Sequence, residues 1–223
     1  MKKRSLFAAA FMLFVLAIPS FADGEEIEYA PDQKAMTFEE YLEKGGADWF
    51  LTGKKEYPIR AMMVSKETSF HNDLEVTDYT VTDDGESVIL KGTVGEQWVT
   101  KLSKVISAYR KPDGSDLTED DFRTKDVFID ILAKPAPDSN FAMYVPAGIS
   151  VTVETASGNI LHTNLPNAPH GEGDFLLCRA GEDGVPDLSD IWVVNGAVFP
   201  NTYDVSNLPE TAKISDKIDH GSL

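Results

Sequence analysis

Residues 170–178 read HGEGDFLLC, so a histidine, two acids and the chain's single cysteine fall within nine residues. These residue types carry three chemistries. A thiol near an imidazole becomes a nucleophile when its pKa is lowered. A histidine with a carboxylate can move protons in a hydrolase, which makes His170 and Asp174 the candidate catalytic residues. Clustered carboxylates can hold a hard cation, so Asp183, Asp187 and Asp190 in EDGVPDLSD are candidate calcium ligands.

Each reading has a plainer rival. Cys178 sits inside the apolar run DFLLCRA, with Leu176 and Cys178 on one face and Phe175 and Leu177 on the other. A cysteine in such a run is usually a small core residue. Gly171 and Gly173 mark a turn in which Asp174 would accept backbone hydrogen bonds, and Asp183-Gly184 is itself a turn signal. DGSDLTEDD (113–121) clusters acids in the same way. Neither acidic loop has the glycine and glutamate positions of an EF-hand. No Gly-x-Ser-x-Gly, phosphate-cradling glycine loop or His-x-x-x-His spacing occurs. His71, His162 and His220 read as ordinary loop or strand histidines, and His170 keeps the strongest functional interest. Trp98, Trp192, Tyr144 and Tyr203 could line a groove for sugar or peptide, although in β proteins such residues more often fill the core.

The elements that must position these residues are mostly strands. IRAMMV (59–64), LEVTDYTV (74–81), SVILKGTV (87–94), QWVTKL (97–102), VISAYR (105–110), VFIDILA (127–133), ISVTVET (149–155), ILHTNL (160–165) and DFLLCRA (174–180) are short and rich in β-branched and aromatic residues. WVVNGAVF (192–199) carries Asn195-Gly196 between apolar runs, the signal for a type I′ hairpin. Thr37 with Glu40 forms a capping box for a short helix that Gly45-Gly46 ends, and Thr118 opens a single helical turn. The expected class is mainly β: two small antiparallel β modules, barrel- or sandwich-like, with a short N-terminal helix.

An internal echo supports two modules. GTVGEQWV (92–99) and HGEGDFLL (170–177) each set a glycine and an acid before an apolar strand. Val105-Ile106 leads to Tyr109 as Val198-Phe199 leads to Tyr203. The expected organisation is a signal peptide (1–22), a leader with short helix (23–56), modules at 57–125 and 126–206, and a polar tail (207–223). The second half also carries Gly173-Asp174-Phe175-Leu176 and Phe199-Pro200-Asn201-Thr202-Tyr203. Through these motifs, residues 127–205 resemble the PGDYG-type small bacterial β modules. The chain departs from that pattern at Glu172 and in the insert from Ala180 to Ile191. The resemblance implies a β fold and no particular activity.

Lys2, Lys3 and Arg4, the apolar run Leu6 to Ile18, and small residues at Ser20 and Ala22 make a cleavable export signal, with cleavage before Asp23. The run is too short to span a bilayer, so no stable membrane insertion is expected after cleavage. The expected location is periplasmic or secreted. Without its three basic residues, the chain keeps 17 Lys and Arg against 37 Asp and Glu. Such a surface repels phosphate backbones and excludes nucleic acid as a partner. One cysteine allows no intramolecular disulfide, so the fold must hold by its core. The functional expectation is a non-enzymatic envelope protein that binds a protein, peptide or saccharide, without a cofactor. A carboxylate-dependent hydrolase and a calcium-stabilised module are the alternatives.

Overall fold

The computed structural model describes residues 27–214 apart from Glu28, Ala47, Val76, Ser157, Asn159, Asn167, Pro169, His170 and Gly171. The expected signal peptide and His170 lie outside the described residues. In chain order, β1 (Lys34–Thr37) leads into α1 (Phe38–Glu43), followed by β2 (Phe50–Lys54), β3 (Pro58–Met62), β4 (Thr68–Asn72), β5 (Thr77–Val81), β6 (Ser87–Lys91) and β7 (Gln97–Lys101). Then come α2 (Leu102–Ala108), β8 (Tyr109–Arg110), a 3-10 turn (Glu119–Phe122), β9 (Ile129–Ala133), β10 (Ala136–Pro146) and β11 (Ile149–Glu154). The last elements are β12 (Ile160–His162), β13 (Gly173–Ala180), β14 (Pro186–Val194) and α3 (Phe199–Thr202). The protein is mainly β, with sheets that are antiparallel except where β1 pairs with β11 in parallel, and few helices, and among the described residues no sheet closes into a barrel.

Local signals account for much of this. Thr37 Oγ1 accepts from the Glu40 N–H at 3.2 Å, while the Glu40 carboxylate accepts from the Thr37 N–H at 3.1 Å, which closes the capping box. Phe38 and Tyr41 then dock the helix on the core. Thr118 makes the same reciprocal contact with Asp121. Three readings need correction. VISAYR is not a strand: Leu102, Val105, Ile106 and Tyr109 fall at helical spacing, and α2 buries Val105 while only Tyr109-Arg110 are extended. Asn195-Gly196 makes no type I′ hairpin. Gly196 is not among the positive-φ glycines, and the Asn195 carbonyl accepts from the Val198 and Phe199 N–H groups, turning the chain into α3. Phe50–Lys54, read as leader, is a strand.

The two larger sheets repeat one plan. The first has the order β7-β6-β3-β9-β8 and the second β14-β13-β10-β2. Ile129, Ala61, Leu90 and Trp98 pair across the first. Phe50, Ala142, Leu177 and Trp192 pair across the second in the same order. Both alanines are fully buried, so each row sets a methyl between bulky neighbours, as interdigitated packing requires. From each tryptophan the chain runs through a helix to a tyrosine eleven residues on: Trp98 to Tyr109 and Trp192 to Tyr203. Tyr109 then pairs with Ala133, and Tyr203 with Lys54. The glycine-and-acid echo in the sequence therefore aligns β7 with β13, one strand out of step, while its match of Tyr109 with Tyr203 is structural.

The outer strands are exchanged. β2 pairs with β10 of the second sheet before the chain enters β3 of the first. β9 pairs with β3 of the first sheet before entering β10 of the second. The two crossings run side by side, with Lys54 opposite Ala136 and the Ala133 N–H donating to the Tyr57 carbonyl at 2.9 Å. One long antiparallel ribbon thus links both sheets. β10, missed in the sequence because its first half is APDSN, tolerates those residues through a bulge between Ala136 and Asn140, with Asp138 at φ 51°. Gly53 is required where the ribbon meets that bulge: a Cβ there would lie 2.4 Å from the Asp138 nitrogen. The core of the second sheet carries a stack of Phe175 on Phe199, with ring centroids 3.8 Å apart, and Tyr203 stacks on Phe199 in turn.

Candidate functional site

A cavity of about 150 Å³ opens where the ribbon crosses between the sheets. Tyr57, Glu96 and Trp98 reach it from the first sheet and its turns, and Lys54, at the end of β2, with Trp192, Asn195, Thr202 and Tyr203 from the second. Leu74 and Glu75, from the turn between β4 and β5, and His162 at the end of β12 complete its rim. The walls are mostly carbon. Trp98 and Trp192 hold equivalent positions in the two sheets, and both face this one cavity. Trp192 also hydrogen-bonds Tyr203. The indole N–H of Trp98 is buried and meets no acceptor among the described residues.

Ionisable groups in such surroundings shift toward neutrality. Lys54 is partly buried at the end of β2, its Nζ 6.0 Å from the centre of the Tyr57 ring. Desolvation of the ammonium brings its pKa down to about 7. Glu96 folds back over its own turn, where one oxygen accepts from the Val94 N–H at 2.9 Å. Burial still raises its pKa to about 7, and the Glu75 carboxylate adds to the rise. Glu75 is also raised by burial, and it accepts a hydrogen bond from the Tyr79 hydroxyl. The His162 Nδ1 contacts Thr152 Oγ1 at 2.9 Å, and burial lowers the histidine's pKa. The cavity therefore gathers aromatic faces, an amine and two carboxyls, with the amine and Glu96 each able to take either protonation state near pH 7.

Asp174 and Cys178, singled out from HGEGDFLLC, are held in other ways. Asp174 is 3% exposed and borders the cavity, but its carboxylate is engaged. One oxygen accepts from the Asn164 N–H at 2.6 Å and the other from the Gly196 N–H at 2.8 Å. It staples two loops, so the catalytic reading of Asp174 gives way to a structural one. Gly173 beside it, at φ 153°, packs against β10, where a Cβ would sit 2.3 Å from the Val145 carbonyl. Cys178 is fully buried and its thiol is pushed up to about 12, first by burial and then by the Asp187 carboxylate, the reverse of what a nucleophile needs.

The proposed calcium ligands also find local uses. Asp183 accepts from the Val185 N–H at 3.3 Å, Asp187 from Ser189 at 3.0 Å, and Asp190 from Ala156 at 2.9 Å. Among the described residues, no group of three or more His, Cys, Asp or Glu is placed to hold a metal ion. Of the four aromatic residues considered for a groove, Trp98, Trp192 and Tyr203 line the cavity although each is at most 9% exposed. Tyr144 lies apart and donates to the Glu172 carbonyl at 2.5 Å.

Lys54, Tyr57, Glu75 and Glu96 escaped the sequence reading. The usable signal was the equal Trp-to-Tyr spacing, which would have identified the two tryptophans as equivalent and placed whatever precedes β3 beside β10. No family model matches the chain, and no curated protein or solved structure shows a significant match.

Proposed function

We propose that the protein is exported by its N-terminal segment and binds a small organic ligand in the cavity between the two sheets, without catalysing its turnover as a hydrolase. The observation that carries this reading is the convergence of Trp98 and Trp192, from equivalent strands, on one concave and largely apolar site edged by Lys54, Glu75 and Glu96. A cavity near 150 Å³ takes about one ring-sized group, such as an aromatic ring or a single sugar. Apolar walls with a few polar groups at the rim are the usual makeup of small-molecule sites. The acidic surface keeps the protein soluble and repels anionic polymers.

Tryptophan fluorescence tests the reading directly. Trp49 packs against Phe38, away from the cavity, so Trp49→Phe leaves emission from Trp98 and Trp192 alone. Monosaccharides, short peptides and single-ring aromatic compounds are titrated into that variant. A saturable change that disappears in Trp192→Ala, with the same ligand raising the melting temperature of the parent, is the expected result. A set of ligands that moves neither signal, or whose effect survives Trp192→Ala, overturns the assignment.

A further inference from the structure

The repeat singles out one residue. Ala133 ends β9 opposite Tyr109 and is 1% exposed; Lys54 ends β2 opposite Tyr203. The next residues also match, since the Lys134 N–H donates to the Ala108 carbonyl at 3.0 Å and the Lys55 N–H to the Thr202 carbonyl at 2.9 Å. The fold therefore accepts a methyl group at this position. In the copy that borders the cavity, a primary amine stands there instead, beside the Tyr57 ring and between walls supplied by Trp98 and Trp192. An amine set in an apolar cavity, with the Glu96 carboxyl on the same walls, is an arrangement that can capture carbonyl compounds.

Resting on the reading of the cavity as a ligand site, we propose that the Lys54 amine captures an aldehyde or ketone ligand there as a reversible imine. The unprotonated nitrogen attacks the carbonyl carbon, forming a C–N bond as the C=O π pair moves to oxygen. One nitrogen proton passes to that oxygen to give the neutral carbinolamine. The hydroxyl group is protonated and leaves as water while the nitrogen lone pair closes the C=N bond. Loss of the remaining nitrogen proton restores the acid, so amine and carbonyl yield imine and one water. No oxidant or reductant is needed, and hydrolysis reverses the reaction.

The surroundings suit both halves of the reaction. Desolvation holds Lys54 near pKa 7, so about half of it is unprotonated at neutral pH, against less than about 0.1% for an ordinary surface lysine. Glu96, also near 7, stands on the same walls and keeps a protonated fraction that can assist departure of water, and the neighbouring Glu75 carboxylate adds to its rise. Tyr57, Tyr203, His162 and Asp174 are the other titratable groups facing the cavity.

Benzaldehyde, which matches the single-ring volume, is the probe, with cyanoborohydride to reduce and trap the adduct. Intact mass and peptide mapping of the full mature chain should show one benzyl group on Lys54. Its rate at pH 7 should exceed that of any other lysine at least tenfold and fall as pH drops below 7. Lys54→Arg, checked for folding by its melt, should lose that adduct while surface labelling is unchanged. Labelling spread over the lysines without preference for Lys54 overturns the proposal. Benzyl alcohol, which has the same ring and no carbonyl, separates the two readings in the Trp49→Phe protein. Quenching by benzyl alcohol without a Lys54 adduct removes the imine and keeps the binding site. Neither quenching nor adduct removes both.

Discussion

Replacing Lys54 with methionine keeps an apolar stem in the cavity and removes the amine, and the effect on stability should depend on pH in a defined direction. Desolvation brings the folded pKa down to about 7, against 10.5 for the unfolded chain. At about 1.4 kcal/mol for each tenfold difference in proton affinity, the wild-type fold carries a cost that reaches about 5 kcal/mol once both states are protonated. Above pH 10.5 both states hold neutral amine and the cost vanishes. Between 10.5 and 7 the unfolded chain binds the proton more tightly, so the wild type gains stability as pH rises through that window. Lys54→Met lacks this titration. It should therefore be more stable than wild type by up to about 5 kcal/mol at pH 6, with the gain falling by about 3 kcal/mol at pH 9. Urea denaturation of both proteins at the two pH values, with m-values compared to confirm the same transition, measures this. A difference between the proteins that stays constant from pH 6 to 9 would refute the claim that the amine is desolvated in the fold. A stabilising replacement would also mean that this lysine is kept at the expense of stability, as functional groups in binding sites often are.

Glu96→Gln should show the opposite window. Its folded pKa near 7 lies above the usual 4.5, so the wild type loses stability as pH rises between those values, and the variant gains about 3 kcal/mol at pH 8 but almost nothing at pH 4. Equal gains at both pH values in urea melts would show that the carboxyl is not desolvated. Asp174→Ala leaves the Asn164 and Gly196 N–H groups without acceptors in a buried setting and should cost about 2–5 kcal/mol. That is a fall of roughly 10 °C in melting temperature for a chain of this size. An unchanged melt would mean that the carboxylate is not the staple described above.

How much was legible in the sequence follows from the range of each interaction. The capping box at Thr37 and Glu40, the 3-10 turn after Thr118 and the strands β3, β6, β7, β11 and β13 depend on neighbours within a few residues, and their signals stand in the local pattern. α2 was misread because VISAYR was taken without Leu102, which starts its helical spacing. β10 was missed because a bulge, paid out over Pro137 to Ser139, is visible only against its partner β2. HGEGDFLLC shows the same limit. Its residue types suggested chemistry, yet Asp174 is turned inward by loops ten and twenty-two residues away, and Cys178 is closed in by strands on both sides.

By itself, the sequence determined the mainly β class, the absence of disulfide support and the strongly acidic surface, because composition and short-range alternation are enough for those. Tertiary structure alone decided the site. Lys54 lies in a segment that reads as leader, and it meets Tyr203, 149 residues later, only because β2 crosses to the second sheet. The strand exchange brings Trp98 and Trp192 to one cavity, and burial there shifts an ordinary lysine and an ordinary glutamate to neutrality. A pKa set by desolvation belongs to the enclosure, and no stretch of neighbouring residues encodes it.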